Sequence, residues 1–87
     1  MMRLTFEEVW RRIAQHEGKP FCTKEGLPFT YEVRGSAVYP SRTRQRIPKE
    51  DFKKAYERWP VKGPGELNRI VRGPAYVWAI LKSILDE

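Results

Sequence analysis

The segment Arg42-Thr43-Arg44-Gln45-Arg46 alternates three arginines with two hydrogen-bonding residues. In an extended strand, residues two apart face the same side, so three guanidinium groups would stand in a row at intervals of about 6 to 7 Å. That interval is comparable with the spacing of phosphates along one nucleic-acid strand, and the planar guanidinium fork pairs with phosphate through two parallel N–H donors. Thr43 and Gln45 would add hydrogen bonds. The plain alternative is a charged edge strand whose arginines keep sheets from associating edge to edge.

Lys49, Lys53 and Lys54 follow closely enough to extend the same patch, although Glu50 and Lys54 also have the spacing of an ordinary helical ion pair. Lys62, Arg69 and Arg72 form a second basic cluster around a Pro/Gly-rich loop. Arg72 adjoins Gly73-Pro74, where a helix start would present free N–H groups and a positive dipole end to an anion. Gly73 can equally be a simple cap. The charge distribution suits a polyanion-facing surface and, equally, plain solubility. Residues 42 to 72 hold ten Lys or Arg against four acids, a net +6, while the flanking parts nearly cancel. The nucleic-acid-binding candidates are therefore Arg42, Arg44, Arg46, Lys49, Lys53, Lys54, Arg69 and Arg72.

Other chemistries have little to work with. The chain holds one His and one Cys, with neither a nucleophile-elbow nor a phosphate-loop pattern, so no enzymatic activity, metal or cofactor is expected. His16 sits where a helix C-terminus would use it as a dipole partner. Glu32-Val33-Arg34 resembles the acid-x-Lys of nucleases only loosely, with Arg for Lys and no second acid beside it. A metal-free ribonuclease acting through Arg, Tyr and His16 is the residual catalytic alternative. Tyr31, Tyr39 and Tyr56 would stack bases if exposed, but their spacing also suits core and cross-strand packing. RNA-recognition aromatics, a KH loop and zinc-finger spacing are all absent from the sequence.

The elements that would carry these residues follow from periodicity. Thr5 and Glu8 make a capping box, flanked by Leu4 and Val9 at staple positions, and Phe6, Val9, Trp10 and Ile13 continue at helical spacing. A helix over 5–17 is predicted, ended by Gly18. The period then changes to two, predicting strands over 20–23, 28–34 and 37–46 in an antiparallel meander. Within the third, Val38 shares parity with the arginines while Tyr39 shares it with Ile47, and Pro40 marks an edge or a bulge where the register can switch. A second helix is expected over 48–59, a loop over 60–65, a turn or two of helix from Glu66 to Val71, and a last helix over 74–85 behind Gly73-Pro74.

Residues 1–87 thus read as a single compact α+β domain. Its fold is a three-stranded antiparallel sheet packed by helices, in the order αβββα followed by a C-terminal helical extension. The longest apolar run, Ala75 to Leu81, falls far short of the roughly 20 residues a bilayer requires, and no export signal opens the chain. The single Cys22 excludes an internal disulfide, and a cytoplasmic location is expected. The expected partner is nucleic acid, DNA or RNA, held by its phosphate backbone. The rival is a protein-interaction module, or a homodimer, using the apolar breadth of residues 75–85 or an open sheet edge.

Overall fold

The computed structural model describes residues 4–86. Thr5 precedes the first helix with extended backbone, and its hydroxyl accepts the Glu8 N–H at 3.3 Å, satisfying a donor that the helix itself leaves unpaired. Helix α1 spans Phe6–Gln15 and buries Val9 and Ile13, with Phe6 and Trp10 half-buried beside them. It closes at Gln15, short of the expected residue 17. His16 caps it there, with its backbone N–H on the Arg12 and Ile13 carbonyls and Nδ1 2.7 Å from the Arg12 carbonyl oxygen.

Strands β1 (Phe21–Cys22) and β2 (Pro28–Phe29) form a two-stranded ribbon with Phe21 opposite Phe29. Both rings point into the core, where Phe21 meets Tyr31 at 5.2 Å and Phe29 meets Tyr76 edge-on at 5.0 Å. The strand predicted over 28–34 is interrupted at Thr30. The Thr30 N–H is donated to the Ser41 hydroxyl at 3.0 Å rather than to a ladder partner. Beyond it, β3 (Tyr31–Arg34), β4 (Ala37–Pro40) and β5 (Ile47–Pro48) make a three-stranded antiparallel sheet in chain order. The β3–β4 turn is two residues long, with Gly35 in its first central position at φ +61°, where a hairpin of this length demands glycine.

The third strand expected over 37–46 stops at Pro40, and residues 41–46 form a loop. The reason is parity. Val38 and Ile47 lie an odd number of residues apart, so a single straight strand would send them to opposite faces, yet both are fully buried. The chain leaves the sheet after Pro40 and returns as β5, pairing Val38 with Ile47 and putting both on the core face with Tyr31 and Pro40. The outer edge of β3 is closed by the tail of α1. Gly18 donates its N–H to the Tyr31 carbonyl at 2.9 Å, and Glu17 Oε1 accepts the Val33 N–H at 2.6 Å.

Helix α2 spans Lys49–Glu57 and buries Phe52, Ala55 and Tyr56, with Pro48 as its cap residue. The Tyr56 hydroxyl donates to the Leu4 carbonyl, tying the chain's start to this helix. After the half-buried Trp59, a short 3-10 turn, Pro64–Leu67, begins inside the loop expected over 60–65, ends short of the expected Val71 and buries Leu67. Val71 is buried and Ile70 half-buried behind it. Gly73, at φ +55°, reverses the chain into helix α3 (Pro74–Leu85). A Cβ at Gly73 would lie 2.9 Å from Ile47 Cδ1, so close packing and the left-handed backbone both require glycine.

Helix α3 is central, touching α1, α2, β1 and the 3-10 turn, and Val77, Ile80, Leu81 and Ile84 are fully buried. Most of its apolar circumference therefore goes into the core of an α+β domain with a three-stranded antiparallel sheet and a helical C-terminus, with Ala75, Tyr76, Trp78 and Leu85 half-buried. Among the described residues, no helix is long and apolar enough to cross a membrane.

Candidate nucleic-acid interface

With residues 41–46 in a loop, Arg42, Arg44 and Arg46 do not form an in-register row. Arg42 turns away toward the ribbon, where its Nη1 donates to the Pro28 carbonyl at 3.2 Å. The middle of the loop goes the other way. Thr43 Oγ1 accepts the Gln45 N–H at 3.1 Å, and Gln45 Oε1 lies 3.3 Å from where a Cβ on Gly73 would stand. Arg44 and Arg46, both exposed, thus flank a side chain packed against the Arg72–Gly73 turn.

Helical geometry divides the three lysines of α2. Lys49 and Lys53 are one turn apart and share a hollow with Phe6, Glu7 and Glu50. Lys49 Nζ lies 3.8 Å from Glu7 Oε2 and 5.5 Å from the centre of the Trp10 ring, so its charge is engaged within the domain. Lys54 is about 100° further round the helix and faces residues 68–72. Together Pro48, Asp51, Lys54, Asn68, Arg69 and Arg72 line a shallow depression of about 310 Å³. The second basic cluster read in the sequence is split accordingly: Arg69 and Arg72 are at this depression, whereas Lys62 lies in another hollow with Lys24 and Glu66.

Asp51 holds the depression together. An acid in the first turn of a helix commonly reaches back to the cap residue's N–H, but that residue is Pro48 and has none. Asp51 Oδ2 instead accepts the Arg72 N–H at 2.9 Å, fastening the 68–72 segment to α2. Glu66 is used in the same manner, accepting the Lys62 N–H. Two of the four acids between residues 42 and 72 are thus spent on backbone amides rather than on neighbouring cations. Arg44, Arg46, Lys53, Lys54, Arg69 and Arg72 form no side-chain ion pair among the described residues.

The remaining candidates are otherwise occupied. The Tyr31 hydroxyl is buried and donates to the Ile13 carbonyl at 2.6 Å; burial, and after it the charge of Glu17, pushes this phenol well above tyrosine's ordinary range. Tyr56 is also buried, while Tyr39 is half-buried with the Arg34 guanidinium 5.3 Å from its ring centre. Glu32 and Arg34 pair with each other at 2.6 Å. Cys22 is exposed and unpaired. Among the described residues, no group of three or more His, Cys, Asp or Glu is placed to hold a metal ion.

The sequence marks Asp51 only as an acid at the start of a helix and does not mark Asn68, so neither is legible as part of the site. The one local signal for Asp51 is an acid in the first helical turn behind a proline cap, which leaves it to find a donor elsewhere. Comparison with known proteins adds no relative: no family model, curated protein or solved structure matches this chain.

Proposed function

We propose that this domain binds the phosphate backbone of nucleic acid. The face it uses comprises the 41–46 loop, the Lys54 side of α2 and the 68–72 segment. The observation carrying this reading is the diversion of Asp51 and Glu66 onto backbone amides. It leaves Arg44, Arg46, Lys54, Arg69 and Arg72 without a side-chain ion pair among the described residues. Such a surface attracts a polyanion through counter-ion release. Arg42 and Lys49, each engaged inside the domain, contribute less, and Lys53 lies on the other side of α2. A cytoplasmic location accompanies the proposal, on the strength of the single exposed cysteine.

The rival protein-interaction reading draws less support. Of the apolar residues in 75–85 that motivated it, Val77, Ala79, Ile80, Leu81 and Ile84 are buried and Ala75, Tyr76, Trp78 and Leu85 half-buried, and the outer edge of β3 is taken by Gly18 and Glu17. The test is charge reversal at Arg44, which is exposed and makes no side-chain hydrogen bond or ion pair. Arg44→Glu is expected to weaken binding to labelled DNA and RNA probes while leaving the thermal melt unchanged. A wild-type protein that binds neither probe at low salt refutes the proposal.

A further inference from the structure

Asp51 is the one charged residue buried among the described residues, only 7% exposed, and it lies in the depression ringed by Lys54, Arg69 and Arg72. A carboxylate is ill suited to a site that receives only phosphate, because like charges repel and a buried charge is costly unless its lone pairs are used. Oδ2 is used, on the Arg72 N–H. Oδ1 accepts no hydrogen bond within the described residues, and no fully buried side-chain oxygen lacks a partner, so Oδ1 keeps some solvent contact on a residue that lines the depression. A hydrogen-bond acceptor thus shares the depression with three cations. The depression, at about 310 Å³, is near the lower end of the size of small-ligand pockets. A depression of that size suits one unpaired nucleotide, whose base edge is free to donate where a duplex would hold it in a base pair.

On the basis of the phosphate-binding reading, we propose that the depression holds one unpaired nucleotide of a single strand. Lys54, Arg69 and Arg72 take the flanking phosphates, and Asp51 Oδ1 accepts a hydrogen bond from the nucleotide itself. The donor is a hydroxyl or amine, supplied either by the ribose 2′-OH or by an exocyclic base amine, both of which a carboxylate oxygen recognises.

Four labelled single strands of equal length separate the sources. Oligo-rC carries both donors, oligo-rU only the hydroxyl, oligo-dC only the amine and oligo-dU neither. In anisotropy titrations of the full chain at one low salt concentration, strands carrying the recognised donor are expected to bind about tenfold more tightly than oligo-dU. The arm in which the gain appears identifies the donor. Asp51→Asn keeps a carbonyl oxygen for the Arg72 N–H but turns an amide NH₂ into the depression. It is expected to abolish the discrimination while holding or raising affinity for oligo-dU, since a negative charge is lost. Equal binding of all four strands by the wild type overturns the inference and leaves the phosphate reading standing; binding of none overturns both. Full discrimination in a folded Asp51→Asn also overturns it. If that variant does not fold, the wild-type comparison decides alone.

Discussion

Replacing Arg69 and Arg72 together by glutamine removes two of the five cations assigned to the proposed face, the others being Arg44, Arg46 and Lys54. The backbone N–H of residue 72 stays on Asp51, so the segment keeps its anchor. If each of the five cations displaces one condensed counter-ion, log affinity falls against log salt with a slope of about −3.5 on a single strand and about −4.5 on duplex DNA. Between 50 and 200 mM salt that amounts to a loss of roughly one hundredfold to five hundredfold. The double variant, with three contacts left, should show slopes of about −2.1 and −2.7, and a loss of roughly twentyfold to fortyfold over the same range. Arg42→Gln is the control. Its guanidinium is on the Pro28 carbonyl, and its removal should leave the slope unchanged. Anisotropy titrations across five or more salt concentrations measure all three slopes. A wild-type slope shallower than about −1, or a double variant with the wild-type slope, would refute the assignment of the face.

Two further predictions concern the frame that carries this face. Tyr31→Phe removes the hydrogen bond to the Ile13 carbonyl and should cost about 1 kcal/mol in denaturant unfolding at neutral pH. Because the folded phenol titrates above tyrosine's ordinary 10.0, the folded state holds the proton that the unfolded chain releases; wild-type stability should therefore decline as pH rises past about 10, more steeply than in Tyr31→Phe. Gly73→Ala must hold a Cβ in left-handed backbone and displace Ile47, for a loss of about 1 to 2 kcal/mol or more. A melt unchanged from wild type would contradict that packing.

What was legible in the sequence was what neighbouring residues decide among themselves. The Thr5 cap on Glu8 and the Gly73-Pro74 helix start both involve partners a few residues apart, and each marked its element correctly. The arginine segment was harder, because alternation describes a strand only if a partner strand pairs with it. Ser41 and Gln45 instead bond to Thr30 and pack on Gly73, positions remote in sequence. The candidate site divides along the same line. Lys54, Arg69 and Arg72 were recognisable as basic but not as neighbours, since they are joined by the bond of Asp51 to an amide 21 residues further on. Separating Lys49 and Lys53 from Lys54 needed only the helical period.

The closure of β3 by Glu17 and Gly18 has a consequence for how the domain fails. A sheet edge with unpaired amides is a template for another copy of the same strand, and most small domains cover it with an element of their own. Here the cover is one carboxylate and one backbone amide at the frayed end of a short helix. Those two bonds occupy the Val33 N–H and the Tyr31 carbonyl, the groups a second strand would otherwise pair with. A variant that lost both bonds would expose a strand edge to its own copies, and the net charge of +6 would then be what holds those copies apart.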